Sequence, residues 1–340
     1  DLRLDRPVAL KVMASRYAGD QQFLTRFQRE ARAIARLKDP GLVAIFDQGS
    51  DPAHPYLVME LVDGGTLREL LAERGPMPPH AMAAVLRPVL SGLGVAHRAG
   101  LVHRDIKPEN VLIAVDGEVK LVDFGLVRAI AEAGITSTSV ILGTAAYLSP
   151  EQVEGKPTGP RSDVYATGIM AFELLTGTTP FTGDNALTVA HQRLDRDVPP
   201  PSSVIEGVPP PLDAFIARAT ARRHEDRFAD AADMGAALEQ TAEELALPHF
   251  RVPAPSRRAP DADATVVHQR VPVGEPPGLL NPTRQFTPAP PAVTGEEPTI
   301  AEPALPEQVF AGIDLNEFAL ARHRARQAVA AGLVLPLPVV

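Results

Sequence analysis

The chain has 340 residues, more than one typical domain, which predicts one large core or two modest cores with a linker. It contains no cysteine, which excludes a disulfide framework, a thiolate zinc site and a cysteine nucleophile. Lys and Arg total 33 against 42 Asp and Glu, and the net charge of -9 argues against nucleic acid as a partner.

Strand patterns come first along the chain and helical patterns follow. Residues 8–13 and 55–61 are apolar in the manner of strands, and the stretch 21–37 has apolar residues at helical spacing. From about residue 79 onward, helical patterns broken by Gly and Pro dominate. We therefore expect a small β-rich part followed by a larger helical part. The clearest later helices are predicted over 164–175, 212–221 and 229–245.

The C-terminal part of the chain changes in composition. We expect the globular domain at 1–247, whereas 248–313 is rich in proline and without periodicity, as is typical of a disordered linker. Residues 314–327 favour a helix with a basic cluster, and 328–340 are uncharged and apolar. A spanning helix needs about 20 residues, so we interpret 328–340 as the start of a truncated transmembrane helix, with the basic juxtamembrane helix on the cytoplasmic side. The alternative is a C-terminal helix that packs on the domain.

Two motifs carry most of the chemical information. Residues 103–110 read His-Arg-Asp-Ile-Lys-Pro-Glu-Asn, and after a short predicted strand residues 123–125 read Asp-Phe-Gly. In this order they resemble the catalytic loop and the magnesium-binding motif of eukaryotic-like protein kinases. The stretches 63–68 and 143–152 are similar to receptor-type kinases of actinobacteria. The chain is therefore identified as a member of the bacterial Hanks-type serine/threonine protein kinases.

The resemblance implies an α+β fold with two lobes, a small β-rich N-lobe, truncated in this chain, and a larger helical C-lobe. It extends over about residues 1–245. The family's Gly-rich phosphate-covering loop should precede residue 8, and the chain begins too late to contain it. Gly64 and Gly65 do not replace that loop, and a turn is expected there.

The resemblance also implies how ATP and Mg²⁺, or Mn²⁺, are held. Lys11 is expected to bind the α- and β-phosphates, restrained by an ion pair with Glu30, although a solvated charged face is the alternative for Glu30. Asp123 and Asn110 offer hard oxygen ligands for the metal. The adenine site is expected to comprise Ala9, Met59, Leu112 and the hinge residues from Glu60 to Val62.

The transfer step is assigned to two residues of the first motif. Asp105 is expected to orient the attacking hydroxyl and to accept its proton, and Lys107 to neutralise the γ-phosphate. A lysine two residues after the base resembles the mark of Ser/Thr kinases. The resemblance therefore favours Ser or Thr over Tyr as the acceptor, in protein substrates.

Further residues match structural and regulatory positions of the family. The structural ones are a predicted ion pair, Glu151 with Arg227, and a buried aspartate, Asp163. Arg104, beside the base, is expected to meet a phosphate on the activation segment, and Thr138 and Thr136 are the favoured acceptors. Thr144 resembles the residue that bridges the base and its lysine. The alternative is a soluble Ser/Thr-rich loop without a regulatory role.

Two other functions are kept open at this stage. A pseudokinase scaffold would keep the fold and bind partners without turnover, and the intact set of Lys11, Asp105, Asn110 and Asp123 argues against it. A small-molecule phosphotransferase would share the core. Residues 149–151 and Lys107 argue against that function, because in the family they serve a platform for protein substrates.

The expected partners and location also follow from the resemblance. Besides protein substrates, candidate partners are phosphothreonine-binding forkhead-associated proteins, which would bind phosphorylated threonines of the linker, and a second copy of the kinase in a homodimer. The alternative for the linker is an inert spacer. The catalytic domain is expected in the cytoplasm, anchored to the plasma membrane as part of a single-pass protein.

Overall fold

A computed structural model describes residues 1, 4–13, 21–51, 54–124, 145–183, 185–256, 309–310 and 313–314. The chain divides into two compact units, Asp1–Arg257 and Arg258–Val340. The first unit begins with strands and one helix and continues mainly with helices. The predicted α+β architecture, with a small β-rich lobe before a larger helical lobe, is therefore confirmed.

A three-stranded antiparallel sheet forms the centre of the first lobe. Strand β1 (Ala9–Val12) pairs with β3 (His54–Met59), and β3 pairs with β2 (Ile45–Asp51). In this register Lys11 lies opposite Leu57. The two predicted strands are thus present, with ends shifted by one or two residues.

Helix α1 (Gln21–Ile34) packs on this sheet with one apolar face. The buried residues recur at helical spacing, which explains why the sequence forms a helix here. The helix was expected to reach residue 37, but it ends in a tight turn in which the N–H of Leu37 donates to the carbonyl of Ile34 at 2.9 Å. The buried face comprises Phe23, Phe27, Ala31 and Ile34.

A second small sheet follows, in the order β4 (Gly64–Thr66), β5 (Val111–Ala114), β6 (Val119–Leu121). The turn expected at Gly64 and Gly65 is wrong, because both residues lie in β4 and pair with β5. A Cβ at position 64 would lie 1.9 Å from the carbonyl oxygen of Ile113, so only glycine allows this pairing.

Helices build the second lobe. Helix α5 (Pro160–Thr176) is buried almost all round, which makes it the centre of the lobe. It ends at Gly177, whose φ of 77° is left-handed and favours glycine. The predicted helices at 164–175, 212–221 and 229–245 correspond to α5, to α7 (Pro210–Ala219) and to α8 (Ala231–Glu244). The helices are α2 (Leu67–Arg74), α3 (Pro79–Arg98), α4 (Pro150–Val153), α5 (Pro160–Thr176), α6 (Ala186–Asp195), α7 (Pro210–Ala219) and α8 (Ala231–Glu244). Short 3₁₀ turns lie at Pro108–Asn110, Pro201–Ser203 and His224–Asp226.

Residues 248–256, here named the C-terminal strap, pack on the same compact unit. The side chain of Val252 is 3% exposed and belongs to the core of the helical lobe. Nε of Arg251 donates to the carbonyl oxygen of Asp116 at 2.5 Å. The compact unit therefore extends beyond the boundary predicted at residue 247, and the segment predicted as linker begins with a packed part.

In the second unit, the described residues form a two-stranded ladder of β7 (Val309–Phe310) and β8 (Ile313–Asp314). The basic helix expected over 314–327 cannot begin at Asp314, because Asp314 pairs with Val309 in this ladder. The rest of that helix and the apolar run 328–340 lie outside the described residues. Within the described part of the chain, no helix has the length and apolar character needed to cross a membrane.

Candidate active site

The loop after α3 holds the expected base in a hydrogen-bonded group. Oδ2 of Asp105 lies 2.9 Å from Nζ of Lys107 and accepts a hydrogen bond from Nδ2 of Asn110 at 3.0 Å. The same Nδ2 donates to the backbone oxygen of Asp105 at 2.7 Å. Because the amide nitrogen of Asn110 is committed to Asp105, its Oδ1 is the atom that can bind a metal ion. Asp105 itself is 8% exposed, so this group is held away from bulk water.

Asp163, in the first turn of α5, anchors the backbone of this loop. Its fully buried carboxylate accepts from the N–H groups of His103 and Arg104, both at 2.7 Å, and contacts Nε2 of His97 at 2.9 Å. Nδ1 of His97 accepts the N–H of Ala231 at 3.2 Å, so Nε2 carries the proton and donates it. Arg104 has a φ of 70°, uncommon for a residue with a side chain, and the bond from its N–H to Asp163 holds it there.

His103 joins the catalytic loop to the second motif. Its Nε2 contacts the carbonyl oxygen of Val122 at 2.9 Å, and its ring meets the Phe124 ring edge-on, with 4.6 Å between centroids. The N–H of Val122 in turn donates to the carbonyl oxygen of Asn110 at 2.9 Å. The two expected metal ligands, Asn110 and Asp123, therefore lie on segments that are hydrogen-bonded to each other.

Lys11 lies against the second motif rather than against α1. Its Nζ is 2.6 Å from Oδ2 of Asp123, and the two side chains are 32% and 26% exposed. The expected ion pair of Lys11 with Glu30 is absent from the ion pairs of the described residues. The apolar face of α1 packs this helix into the core. Glu30 lies on the same helix, and its side chain is half-buried. The nearer carboxylate, that of Asp123, neutralises the lysine instead.

The side chains assigned to the adenine site meet in the apolar core of the first lobe. Glu60, in the hinge, is the exception, because its carboxylate lies 2.7 Å from Nζ of Lys120. Its N–H donates to the carbonyl oxygen of Ala44 at 2.9 Å. Binding of a nucleotide base by the hinge stays a prediction. The side chains that lie in this apolar core or pack against it are those of Ala9, Met59, Val62 and Leu112.

Glu151 and Arg227 form the expected ion pair. Nη1 of Arg227 lies 2.9 Å from Oε1 and Nη2 lies 3.0 Å from Oε2, and the arginine side chain is fully buried. The hydroxyl of Ser162 donates to Oε1 at 2.7 Å. Burial alone would raise the pKa of the Glu151 carboxyl, but the hydrogen bonds from Arg227 and Ser162 outweigh burial and lower the pKa to about 2. The pair ties α4 to the turn before α8.

A polar cluster beside the catalytic loop was not anticipated from the sequence. Arg68 donates to Glu173 at 2.6 Å, to Glu109 at 2.8 Å and to the hydroxyl of Tyr147 at 2.5 Å, and that hydroxyl donates to Glu173. Burial, followed by the charge of Glu173, raises the pKa of Tyr147, so its hydroxyl remains a donor. The signal that could have revealed the cluster is Glu173, an acid inside the apolar pattern 164–175, since a buried carboxylate needs partners.

The expected regulatory threonines, Thr136, Thr138 and Thr144, lie outside the described residues. Arg104 is described, and its backbone oxygen accepts a hydrogen bond from Nε2 of Gln152 at 3.1 Å. This bond joins α4, at the end of the activation segment, to the catalytic loop. A regulatory role for these four residues stays a prediction.

Comparison with known proteins identifies the family. The family described as "Protein kinase domain" matches residues 3–238. The chain belongs to the protein kinase family. It is 63% identical over 338 residues to serine/threonine-protein kinase PknL of Mycobacterium tuberculosis (strain ATCC 25618 / H37Rv), an alignment that covers 97% of this chain and 84% of the relative.

Two more distant relatives agree with this membership. Serine/threonine-protein kinase PknB of the same strain is 45% identical over 244 residues, which cover 70% of this kinase chain and 39% of PknB. The crystal structure of the Mycobacterium tuberculosis PknI kinase domain matches with a TM-score of 0.55 and 29% identity, over 69% of this chain and 85% of that one. The identification as a bacterial Hanks-type serine/threonine protein kinase is confirmed.

Proposed function

We propose that this chain transfers the γ-phosphoryl group of ATP to Ser or Thr hydroxyls of proteins. The observation that carries the proposal is the hydrogen-bonded group of Asp105, Lys107 and Asn110 beside the ion pair of Lys11 with Asp123. A base, cations and metal-binding oxygens converge there, as phosphoryl transfer requires. The relatives PknL and PknB are named serine/threonine-protein kinases, which supports the choice of acceptor.

Asp105 acts on the accepting hydroxyl. Its carboxylate has one orientation, because Lys107 and Asn110 hold it. It can accept the hydroxyl proton as the new O–P bond forms and the bond from the γ-phosphorus to the bridging oxygen of ATP breaks, which releases ADP. The ammonium of Lys107 lies beside this carboxylate and meets the negative charge of the γ-phosphate. Charge on the transferred group is spread over several oxygens, so a fixed cation at this place lowers the barrier.

Asn110 and Asp123 fit a Mg²⁺ or Mn²⁺ ion, since an amide oxygen and a carboxylate are ligands that hard cations prefer. Among the described residues, no group of three or more His, Cys, Asp or Glu could hold a metal. Phosphate oxygens of the nucleotide would therefore complete the coordination. When bound, the ion shields the phosphate charge and orients the transferred group.

In the proposed complex with nucleotide, phosphate replaces Asp123 as the main partner of Lys11. Both side chains are partly exposed, so their ion pair contributes little stability and can exchange with a ligand. Lys11 then contacts the α- and β-phosphates, and Asp123 becomes available to the metal. The role proposed for Glu30 is to restrain Lys11 in that state, which requires α1 and β1 to bring the two side chains together.

A pseudokinase scaffold is the alternative from a binding class. The base, its lysine and the metal-binding oxygens are all present, and Asp105 is hydrogen-bonded as a base requires, which argues against this alternative. A small-molecule phosphotransferase is disfavoured because the segment before α4 is firmly packed on the helical lobe, as a platform for protein substrates would be.

The proposal is tested by Asp105→Asn and Asp123→Asn in the full-length protein. We expect each variant to lose phosphoryl transfer by about 10²- to 10⁴-fold, because the base or a metal ligand is lost while the shape is kept. Asp197→Asn is the matched control, since Asp197 pairs with Arg222 on the surface. Autophosphorylation is measured with labelled ATP. Near-normal transfer by Asp105→Asn or Asp123→Asn would show that the site is wrongly assigned.

Regulation, partners and location extend the proposal. The acceptor cluster of Thr136 and Thr138 is proposed to carry activating phosphates that Arg104 meets, and Thr144 to shape the substrate site. Threonines of the proline-rich linker are proposed to bind forkhead-associated partners once phosphorylated, and two copies of the kinase to form a homodimer. The catalytic domain is proposed to be cytoplasmic, and the basic cluster before the apolar run 328–340 supports attachment to the membrane.

A further inference from the structure

Arg193, on α6, is the largest fully buried side chain among the described residues, and no motif singled it out. Nη1 donates to the carbonyl oxygens of Ala145 at 2.6 Å and Leu148 at 2.5 Å, and Nη2 donates to that of Ala146 at 3.2 Å. A longer bond of 3.4 Å joins Nη2 to Val189 within α6. One arginine therefore holds three carbonyl groups of a single stretch, residues 145–149, here named the 145–149 segment.

Burial of this guanidinium is costly, because its described hydrogen bonds go to neutral carbonyl oxygens and not to a carboxylate. Burial also lowers the pKa of Arg193 from its ordinary value. The carbonyls offset this cost only if their oxygens lie within hydrogen-bond distance of the planar guanidinium donors. The contact therefore restricts the backbone of the 145–149 segment to one shape.

The 145–149 segment lies between α6 and the catalytic loop. On one side its carbonyls face Arg193, and on the other the hydroxyl of Tyr147 contacts Arg68, which also donates to Glu109 of the loop. The segment then enters α4, where Gln152 donates to the carbonyl of Arg104, directly before Asp105. A shift of the segment would move the surface next to the base without touching the base itself.

We propose that Arg193 is a positioning residue that shapes the 145–149 segment as a docking surface for the polypeptide that carries the accepting hydroxyl. The inference rests on the proposed function and deepens it by naming Arg193 as the residue that positions this segment for the protein acceptor. Arg193 acts through backbone carbonyls, so it contacts neither ATP nor the reacting atoms. Its loss should weaken binding of a protein acceptor and leave the handling of ATP nearly unchanged.

The test compares Arg193→Met and Arg193→Lys with Arg222→Met in the full-length protein. Met keeps the length and removes every donor, whereas Lys keeps the charge but cannot reach all the carbonyls at once. Arg222 is an exposed arginine that pairs with Asp197, so Arg222→Met controls for the loss of an arginine. Myelin basic protein serves as protein acceptor, and ATP hydrolysis without it measures transfer to water.

Charge-assisted hydrogen bonds are among the stronger ones, so we expect KM for the protein acceptor to rise at least about tenfold in Arg193→Met. The rise should be smaller in Arg193→Lys and absent in Arg222→Met. KM for ATP and the rate of ATP hydrolysis should stay within about twofold in all variants. Hydrogen exchange of the amides of residues 145–149 should accelerate in both Arg193 variants.

An unchanged KM for the protein acceptor in Arg193→Met would overturn the proposal. An equal loss of transfer to protein and to water would also overturn it, because Arg193 would then act on the whole site. If Arg193→Met does not fold, Arg193→Lys decides by the same criteria, and failure of both to fold would assign Arg193 to stability alone. Failure of the proposed function is distinct, since the unmodified protein would then show no transfer to either acceptor.

Discussion

Ser256 donates two hydrogen bonds to Glu73, a residue 183 positions earlier in the chain: its N–H to Oε2 at 2.6 Å and its hydroxyl to Oε1 at 3.1 Å. The backbone bond from Ser256 is the main reason that the pKa of the Glu73 carboxyl is lowered. Pro255 lies against Gly65, where a Cβ would come within 2.5 Å of the proline ring. The C-terminal strap thus packs against α2 and β4, the two elements that follow the hinge in the chain.

The C-terminal strap should stabilise the kinase domain. Val252→Ala removes two buried methyl groups and should lower the free energy of unfolding by about 1.5 kcal/mol. Val204→Ala is the control, because Val204 is 52% exposed and its change should cost little. Urea denaturation measures the free energy of unfolding of both variants. A chain that ends at residue 247 should lose at least as much stability as Val252→Ala. Equal stability of chains ending at 247 and at 257 would contradict the packing role.

The pair of Glu151 with Arg227 should make stability depend on pH in the acid range. The pKa of Glu151 is about 2 in the folded protein, below the ordinary value of 4.5, so its contribution is fully present above 4.5 and is lost as pH falls toward 2. The contribution is about 3 kcal/mol at neutral pH.

Glu151→Gln should therefore be less stable than the unmodified protein by about 3 kcal/mol at pH 7, and the difference should shrink when measured near pH 3. Denaturant unfolding at the two pH values measures it. Glu225→Gln is the matched control, because Glu225 pairs with Arg223 on the surface. A difference that stays constant from pH 7 to pH 3 would show that the ion pair does not titrate as its geometry implies.

Tyr147→Phe should loosen the polar cluster beside the catalytic loop. The hydroxyl accepts from Arg68 and donates to Glu173, so its removal leaves a buried carboxylate oxygen with one donor fewer. We expect a loss of about 1–2 kcal/mol in the free energy of unfolding. Tyr56→Phe is the control, since Tyr56 lies in β3 away from the cluster. A loss no greater than that of the control would mean that the hydroxyl contributes nothing to stability.

The double variant Thr136→Ala and Thr138→Ala should transfer phosphate to protein substrates more slowly, because phosphate on these threonines is predicted to order the activation segment through Arg104. Phosphopeptide mapping of the active full-length protein should find phosphate within residues 136–139. The paired control is Thr241→Ala, on α8. Full activity of the double variant would remove the proposed switch while leaving the transfer chemistry untouched.

The apolar run 328–340 should attach the full-length protein to the membrane. We propose that the run is part of a spanning helix, with the kinase domain on the side of the basic cluster. Pro336 and Pro338 weaken a helix, although membrane spans tolerate proline better than soluble helices do. Fractionation with and without detergent measures attachment. Recovery wholly in the soluble fraction would contradict the receptor-type interpretation.

The sequence by itself determined the family, the order of the lobes and the main helices. These features are local, because a motif such as 103–110 or the apolar spacing of α1 is read from neighbouring residues. The pairing of Glu151 with Arg227 was also predictable, but only through the resemblance, since no local rule joins residues so far apart. The apolar spacing did not predict the end of α1, because this spacing includes Leu37 whereas the helix ends in a tight turn after Ile34.

Only the tertiary structure decided which partners the buried charges take. Lys11 contacts Asp123 rather than Glu30, and Arg68 contacts Glu173, 105 positions away, because strands and helices packed by their apolar faces bring these groups together. The placement of Arg193 and of the C-terminal strap has the same origin. A buried charge needs hydrogen-bond donors or acceptors, and the packing of the core determines which of them lie nearby. The spacing of residues along the chain does not determine that packing.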